Sequence, residues 1–528
     1  MAAPPQPAAP ATPETWKPRA NPWLIAVVVT LAAFMEILDT TIVNVSLPHI
    51  AGSLSSSYDE ATWALTSYLV ANGIVLTISG WLGNVLGRKR YFVICVAMFT
   101  VCSFLCGIAD SLPQLIIYRL LQGFFGGGLQ PNQQSIILDT FPPEKRSAAF
   151  SITAIATIVA PVIGPTLGGY ITDNISWRWI FFINIPVGIA AVFAIIALVE
   201  DPPWAGKQKR SIDYIGLALI TLGLGCLQVM MDRGEDADWF SSGFIQIMAL
   251  LAFLGIVGAI FWLLTAKKPV VNLYVFGDRN FALGAVMVAF MALILYSSAV
   301  VIPQFAQQVV GYDATLAGLV LSPGGIVVIV LIPLVGIAMK YIQTRYIIAA
   351  GFLTMGFSLW YSRGLSPDID FITLVKMRSA QTAGLAMLFV PISTIAYATL
   401  PKELNGDAAA LYTMFRNVAG SIGISLSTAL VTSRTQVRQA YLSSNMTTLD
   451  GPYNALVAQY ERALTALGHA GAGLHEAAVG RVYQTFRTQA SVLAYSDVFM
   501  VCAVTAFLVV PLTFLFSANK VQGGGPAH

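Results

Sequence analysis

Residues 23–46 read WLIAVVVTLAAFMEILDTTIVNVS, and only Glu36 and Asp39 among these 24 residues can carry a charge. As an α-helix rising about 1.5 Å per residue, this run is long enough to cross a hydrocarbon core about 30 Å thick. The alternating apolar and polar pattern of a lipid-facing barrel strand is absent, so the run predicts a transmembrane helix. Hydrophobic residues make up 56% of the 528-residue chain and charged residues only 10%, which is the composition of an integral membrane protein.

Similar apolar runs recur along almost the whole chain, and we count fourteen of them. Their length and their lack of strand alternation predict an all-α integral membrane fold. The runs cover residues 23–46, 62–84, 91–109, 114–138, 148–172, 179–199, 213–231, 243–265, 281–304, 315–338, 346–362, 372–398, 409–432 and 496–517.

The Lys and Arg residues predict which way the chain is inserted. With a cytoplasmic start, 17 of the 29 fall in cytoplasmic tails and loops, whereas only Arg178, Arg233 and Arg363 fall in short loops on the far side. This asymmetry follows the positive-inside rule and predicts that both termini are cytoplasmic. The net charge of +3 is accounted for by this topology, so no nucleic-acid partner is expected.

The chain contains an internal duplication. At an offset of 259 residues, Arg119 meets Arg378 and Gln122 meets Gln381. Further identities share this offset without a gap, which indicates two homologous halves of six helices each. The two remaining helices are then an insertion between the halves. The predicted organisation is a disordered cytoplasmic tail (1–22), an N-terminal six-helix bundle (23–200), a linker with two inserted helices (201–268), a C-terminal six-helix bundle (269–518) and a cytoplasmic tail (519–528).

The C-terminal bundle includes one long far-side segment, residues 433–495, which we predict to be periplasmic. Its periodic stretches near 454–468 and 476–495 are typical of amphipathic helices standing outside the membrane. This segment is either a solvated cap or a docking surface for a second protein.

Glu36 and Asp39 are unusual because they are carboxylates near the middle of a membrane helix. They lie three residues apart, so a helix directs both to one side, and Thr40 and Asn44 extend a polar strip there. An ionised carboxylate is costly in a bilayer, and taking up a proton relieves that cost. A group that gains and loses a proton as its surroundings change can couple proton movement to conformation. We therefore predict proton coupling at both residues, with a structural salt bridge to a buried arginine as the alternative.

Four cations fall inside predicted spans: Arg119, Lys376, Arg378 and Arg416. Arg119 belongs to the same half as Asp39 and is a fixed positive charge, so it is the expected partner and the third proton-coupling residue. Arg416 is either a bridge to a carboxylate or a contact for an anionic group. Lys376 and Arg378 lie near the outer end of their span, where they can snorkel. Substrates of duplicated transporters bind between the halves, and the side chains predicted to bind substrate here are Glu36, Asn44, Gln122, Gln133, Gln381 and Arg416.

Two glycine-containing stretches predict close helix packing. The first, GWLGNVLGRKR at 80–90, ends the second span in a cationic cluster, and the second, APVIGPTLGGYI at 160–171, lies in the fifth span. Small residues let neighbouring helices approach closely, and prolines bend a helix. The residues predicted to gate or pack are Gly80, Gly87 and Arg88 in the first stretch and Gly164, Pro165, Gly168 and Gly169 in the second.

Several motifs in order along the chain resemble a known family. They are LDTTIVNVSLP (38–48), RLLQG (119–123), APVIGPTLGG (160–169) and SWRWIFFINIPVG (176–188). Together they are similar to the fourteen-helix drug:proton antiporter branch of the major facilitator superfamily. The residues at 227–242, the long loop and the chain ending further resemble the inner-membrane exporters of Gram-negative tripartite pumps.

The resemblance implies proton-driven export of small hydrophobic drugs across the inner membrane of a Gram-negative bacterium. It implies a periplasmic adaptor of the EmrA kind and an outer-membrane channel of the TolC kind as partners. Asp39 resembles the acidic residue of the family's first helix, and Arg119 resembles the arginine of its fourth helix, both tied to proton coupling. The chain departs from the second-span motif because Asn84 stands where the superfamily usually has an aspartate.

Two other functions remain compatible with the residues. One is a proton symporter for a metabolite, and the other is a membrane anchor for a periplasmic partner. No nucleotide-binding loop, metal cluster or nucleophile paired with a base occurs, so neither an enzyme nor a cofactor or metal is expected.

Overall fold

The computed structural model describes residues 18–202, 213–443, 451–467 and 473–517, and in these ranges every regular element is helical. The α-helices are α1 Pro22–Ser53, α2 Tyr58–Ala61, α3 Trp63–Leu86, α4 Arg88–Gly107, α5 Leu112–Gly126, α6 Leu129–Thr140, α7 Pro143–Asn174, α8 Trp179–Phe182, α9 Asn184–Leu198, α10 Tyr214–Arg233, α11 Gly243–Thr265, α12 Arg279–Phe305, α13 Ala314–Ala338, α14 Thr344–Ser362, α15 Phe371–Ala396, α16 Asn405–Ser443, α17 Gly451–Ala466 and α18 Leu474–Val509.

The all-helical membrane fold predicted from the sequence is confirmed. Within the described ranges, eleven helical stretches are long and apolar enough to cross a membrane. Three other predicted spans coincide with the α5–α6 pair, α14 and α16, which do not meet the same limits of length and hydropathy. The count of fourteen spans therefore stays a prediction.

The fourth predicted span differs most from expectation, because it is two helices rather than one. Helix α5 ends at Gly126 and α6 begins at Leu129, with Gly127 and Gly128 between them. A Cβ atom on Gly127 would overlap the backbone carbonyl of Asn72 on α3. The glycines thus allow a neighbouring helix to approach at the point where the span is interrupted.

The helices pack as two sets with matching neighbours. In the first set α1 packs on α7 and α9, and α4 packs on α5 and α9; in the second, α12 packs on α16 and α18, and α14 packs on α15 and α18. The two sets meet where α13 contacts α7 and where α16 contacts α3 and α6. Helices α10 and α11 pack on each other, and α10 also contacts α3 and α16. This packing fits a 6 + 2 + 6 organisation, whose boundaries stay a prediction.

Two helices extend well beyond the rest. Helix α16 has 39 residues and α18 has 36, which correspond to lengths of about 58 Å and about 54 Å. Both exceed a hydrocarbon core of about 30 Å, so their adjoining ends project from the face opposite the one at which α1 begins. There α17 packs on α18 through Val457, Leu464, Ala478 and Val482. We call the face at which α1 begins the N-terminal face.

Parts of the predicted organisation lie outside the described residues. These parts are most of the tail at 1–22, the tail at 519–528, positions 203–212 of the linker, and positions 444–450 and 468–472 of the long segment.

Candidate functional site

Asp39 is buried inside the first set of helices, where three side chains donate hydrogen bonds to its carboxylate. Arg119 Nη1 donates to Asp39 Oδ2 at 2.6 Å, forming a fully buried ion pair. Gln122 Nε2 and Asn184 Nδ2 donate to Asp39 Oδ1 at 3.1 and 2.9 Å. Charge-assisted bonds of this kind stabilise an ionised carboxylate. The ion pair expected between Asp39 and Arg119 is therefore present, and the charges of the two groups compensate each other.

Arg119 is held rigidly by the helices around it. Its Nη1 also donates to Gln122 Oε1 at 2.8 Å and its Nε donates to the carbonyl of Ala64 at 3.3 Å. The guanidinium carbon lies 4.1 Å from the centroid of the Tyr68 ring. Cation–π contact and these hydrogen bonds compensate part of the hydration that the guanidinium loses on burial, while its Nη2 has no hydrogen-bond partner among the described residues. Arg119 is thus a fixed charge against which Asp39 is neutralised.

Glu36 is buried one turn away, but its partners are neutral. It accepts hydrogen bonds from Tyr68 Oη at 3.3 Å, Asn72 Nδ2 at 3.0 Å and Gln130 Nε2 at 2.5 Å. No ion pair with Glu36 occurs among the described residues. A buried carboxylate without a cation in contact depends on these bonds or on a proton. Of the two carboxylates, Glu36 is the one whose charge the neighbouring side chains leave uncompensated.

A polar seam joins α6 of the first set to α16 of the second. Asn405 Nδ2 donates to Asp139 Oδ1 at 3.0 Å, and Thr413 Oγ1 donates to Gln134 Oε1 at 3.3 Å. The innermost contact is between Arg416 and the Gln130 amide oxygen. These three contacts, which we call the α6–α16 seam, run from the N-terminal face towards the middle of the bundle.

The α6–α16 seam ends at Glu36. Gln130 uses its amide oxygen for Arg416 and its amide nitrogen for Glu36. A single side chain therefore connects a carboxylate of the first set to a cation of the second. Among the described residues, the Arg416 guanidinium reaches the Glu36 carboxylate through Gln130, and a contact with an anionic group stays a prediction.

Arg88 has a partner despite the missing aspartate at position 84. It forms a buried ion pair with Asp139 of α6, and its Nη1 donates to the Ser135 carbonyl at 3.2 Å. Asp139 also belongs to the α6–α16 seam through Asn405. Arg88 is therefore paired with a carboxylate on another helix, although Asn84 stands where the superfamily usually has an aspartate.

Positions 80 and 87 favour glycine for different structural reasons. A Cβ atom on Gly80 would lie 2.6 Å from the carbonyl oxygen of Gly406, so α3 and α16 touch backbone to backbone there. Gly87 has φ of +88° between α3 and α4, a conformation that residues with a Cβ rarely adopt. Gly80 thus sets how closely the two sets approach at the N-terminal face.

Replacing Gly80 with alanine is expected to lower the thermal stability of the chain, because overpacking of this size costs about 1–3 kcal/mol. The measurement is the Tm of the purified full chain. Gly73 on the same helix has open space around its Cβ position, so Gly73→Ala is the matched control. Equal Tm values for the two variants would show that the α3–α16 contact accommodates a Cβ atom at position 80.

The glycines of the fifth span pack α7 against α1. A Cβ on Gly164 would overlap the Thr41 side chain, and one on Gly168 would lie 3.1 Å from the Ile42 carbonyl oxygen. A Cβ on Gly169 would have more room, since it would lie 3.9 Å from Val45 Cγ1. Pro165 lies inside the continuous helix α7. Close packing on the helix that carries Glu36 and Asp39 is therefore the structural role of Gly164 and Gly168.

Other predicted substrate-binding residues are not brought to this cluster. Asn44 is exposed, so the predicted polar strip does not continue to it. Gln133 donates to Thr30 and Thr153 at 3.3 and 2.7 Å. Gln381 donates to Ser362 at 3.1 Å within the second set. Of the six, Glu36, Gln122 and Arg416 lie in one connected network.

The snorkelling interpretation is wrong for Arg378. This side chain is buried, and its Nη1 donates to Ser298 Oγ at 2.9 Å. Lys376 is exposed and remains compatible with snorkelling.

Four polar residues of the site were missed by sequence reasoning: Tyr68, Asn72, Gln130 and Asn184. Gln130 stands in the stretch GLQPNQQS, residues 128–135, where four amide side chains crowd into one apolar span. That density is a signal of buried polar contacts. Which of the four amides faces α1 depends on the interruption at the preceding glycines, which the hydropathy pattern does not indicate.

A cavity of about 770 Å³ opens between α7 and α13 at the N-terminal face. Apolar side chains of Ile152, Ile155 and Ile337 line it together with the cations Lys145 and Lys340. Its volume lies within the range of drug-sized binding sites, about 300–1,000 Å³.

Comparisons with known proteins agree with this architecture. A family model described as Major Facilitator Superfamily matches residues 29–424. Multidrug export protein EmrB of Escherichia coli is 35% identical over 511 residues, covering 96% of this chain and 98% of that protein. EmrB of Haemophilus influenzae is 37% identical over 446 residues (84% and 86%), and fatty acid resistance protein FarB of Neisseria gonorrhoeae is 33% identical over 495 residues (94% and 96%). The crystal structure of the human organic anion transporter TETRAN aligns with a TM-score of 0.55 at 12% identity, covering 92% of this chain and 100% of that chain, a likeness of fold alone.

Proposed function

Since the chain belongs to the major facilitator superfamily, and within it to the EmrB-type multidrug exporters, we propose that it expels small hydrophobic drugs in exchange for protons. The superfamily consists of transport proteins rather than enzymes. Two of the relatives are named for multidrug export and one for fatty acid resistance. Amphiphilic molecules with a large apolar part are the substrate class that fits these names.

The observation that carries the proposal is the different pairing of Glu36 and Asp39. Asp39 is compensated by Arg119 within its own set of helices, whereas Glu36 is linked through Gln130 to Arg416 of the opposite set. A proton taken up at either position changes the charge balance where the two sets meet. That is the requirement for coupling proton movement to their rearrangement.

The proposed cycle is alternating access about the α6–α16 seam. With the seam closed, the site exchanges protons with the opposite face. Protonation of Glu36 weakens the hydrogen bond that its carboxylate accepts from the Gln130 amide. Gln130 and Arg416 are then free to separate, the seam opens at the N-terminal face, and drug enters. Loss of the proton to that side restores the hydrogen bond and closes the seam. Protonation of Asp39 releases Arg119 in the same way inside the first set.

The cavity between α7 and α13 is the proposed entrance for drug. It lies at the same face as the closed seam and is bordered by helices of both sets. Its isoleucines suit the apolar part of an amphiphile, and the lysines suit polar or anionic groups at the membrane surface.

We place the N-terminal face in the cytoplasm and the chain in the inner membrane of a Gram-negative bacterium. The projecting ends of α16 and α18, with α17 against them, then stand in the periplasm, and we propose that an EmrA-like adaptor docks there and leads to a TolC-like channel. Tyr441, Leu467 and Tyr483 are exposed on this projection, and exposed aromatic side chains are common at protein interfaces.

Deleting residues 444–472 and closing the gap with a short Gly-Ser linker separates transport from docking. In proteoliposomes with an imposed pH gradient, we expect the shortened chain to accumulate drug at nearly the wild-type rate, because Glu36 and Asp39 lie in the bundle and not in the deleted segment. In cells, we expect resistance and co-purification of the adaptor to be lost.

Asp39→Asn is the matched control, since it should bind the adaptor and lose gradient-driven uptake in proteoliposomes. Loss of gradient-driven uptake in the shortened, correctly folded chain would favour a membrane anchor over an antiporter. Uptake that is equal with and without a pH gradient would contradict proton exchange.

A further inference from the structure

The second set of helices contains a counterpart of the Asp39 site in which the carboxylate is missing. At the offset of 259 residues, Arg378 corresponds to Arg119, Gln381 to Gln122, and Ser298 to Asp39. Arg378 Nη1 donates to Ser298 Oγ at 2.9 Å and to Gln381 Oε1 at 3.5 Å. The same arginine nitrogen makes the equivalent two contacts in the first set. The two halves thus share this geometry, with a hydroxyl in the second half in place of the carboxylate of the first.

This replacement leaves a buried cation without a counter-ion. Arg378 is 2% exposed, and no carboxylate of the described residues forms an ion pair with it. Its Nε has no hydrogen-bond partner among them. Ser298 accepts one bond from the guanidinium but carries no charge, and its hydroxyl donates to the Leu295 carbonyl at 3.0 Å. An isolated buried charge is strongly disfavoured unless an opposite charge is close.

A small cavity lies at the position where a counter-ion is needed. Its polar lining is Arg378, Gln381, Ser298 and Thr382, and its apolar lining comes from α12, α14 and α15. The volume is about 10 Å³, which is about the space one water molecule needs. Sulfate, phosphate and carboxylate ligands are too large for it, whereas a monatomic anion requires only a small outward shift of the lining side chains.

We propose that this site binds one monatomic anion, chloride under cellular conditions, in the place that the Asp39 carboxylate occupies in the other half. The anion neutralises Arg378 and holds α12 and α15 together, as Asp39 and Arg119 hold α1 and α5. This role lies outside the proposed drug and proton exchange, because α12, α14 and α15 line the cavity and no residue of the α6–α16 seam does.

Thermal unfolding of the purified full chain tests the proposal. At constant ionic strength and pH, replacing gluconate by chloride or bromide is expected to raise the Tm by about 2–5 °C with saturation, as for a ligand that binds only the folded state. Ser298→Asp supplies the missing carboxylate, so we expect a raised Tm in gluconate and no further response to halide. Crystals grown in bromide should show an anomalous peak beside the Arg378 guanidinium.

Ser298→Asn is the matched control, because asparagine fills the same space without a charge. We expect it to lose the halide response and to keep the low Tm of wild type in gluconate, which separates neutralisation from filling of the cavity. A wild-type Tm that does not distinguish halide from gluconate, or a halide response of equal size in Ser298→Asp, overturns the proposal. Should Ser298→Asp fail to fold, the absence of a bromide peak at Arg378 has the same force.

Discussion

Replacing Asp39 with asparagine is expected to reduce proton-driven drug transport at least about 100-fold, which corresponds to about 2.7 kcal/mol. The asparagine amide fills the same pocket beside Arg119, Gln122 and Asn184, but it cannot alternate between charged and neutral forms. Arg119 is then a buried cation with no carboxylate in contact, whatever the proton concentration. The coupling between proton and drug is lost even where the drug pathway is intact.

The measurement is drug accumulation in proteoliposomes under an imposed pH gradient, with exchange of drug across the membrane without a gradient as the second readout. We expect the pH gradient to have no effect on drug accumulation by Asp39→Asn, while exchange of drug in the absence of a gradient continues. Asp173→Asn is the matched control, because Asp173 is an exposed aspartate whose partner His49 lies 3.6 Å away. Gradient-driven uptake by Asp39→Asn at the wild-type rate would exclude Asp39 from coupling.

The charged residues of this site could be predicted from the sequence because charge inside an apolar span is rare. Glu36 and Asp39 stood out in the first span, and Arg119 was the cation nearest to them in the same half. Both partners of the Asp39–Arg119 ion pair can therefore be identified from their positions inside apolar spans of the same half. The offset of 259 residues identifies Arg378 and Gln381 as counterparts of Arg119 and Gln122, because the residue types are identical.

Neutral partners could not be selected on the same grounds. Gln130 is one of several amides in its stretch, and its two-sided contact with Glu36 and Arg416 depends on how α6 and α16 meet. A comparison that looks for identical residues does not detect Ser298 as the counterpart of Asp39, because the residue types at the two positions differ. Asp139 lies at the edge of a predicted span, where a carboxylate is ordinary.

The predicted polar strip does not continue to Asn44 for a geometric reason. At about 100° per residue, Asn44 lies about 80° around the helix from Glu36 and about 140° from Asp39. The side that carries both carboxylates therefore turns away before Asn44 is reached. The failure at Arg378 has a different origin, since distance from the span end says nothing about whether a neighbouring helix covers the side chain.

Replacing Gln130 with leucine is expected to uncouple the two sets of helices, because leucine can neither donate to Glu36 nor accept from Arg416. The test is a double-mutant cycle on gradient-driven kcat/KM between Glu36→Gln and Arg416→Gln. Residues connected in one hydrogen-bond network show interaction free energies of about 0.5–3 kcal/mol. We expect a non-additive cycle with Gln130 present, corresponding to a factor of about 2–160 in kcat/KM, and an additive cycle in the Gln130→Leu background.

Gln133→Leu is the matched control for this cycle, because Gln133 lies one turn away on the same helix. Among the described residues its amide nitrogen donates to Thr30 and Thr153, both within the first set. The Glu36–Arg416 cycle should therefore remain non-additive when Gln133 is replaced, although the loss of buried hydrogen bonds lowers stability by about 1–3 kcal/mol. If the cycle is non-additive to the same extent in the Gln130→Leu background, then Glu36 and Arg416 communicate by another route and the α6–α16 seam does not transmit the protonation of Glu36.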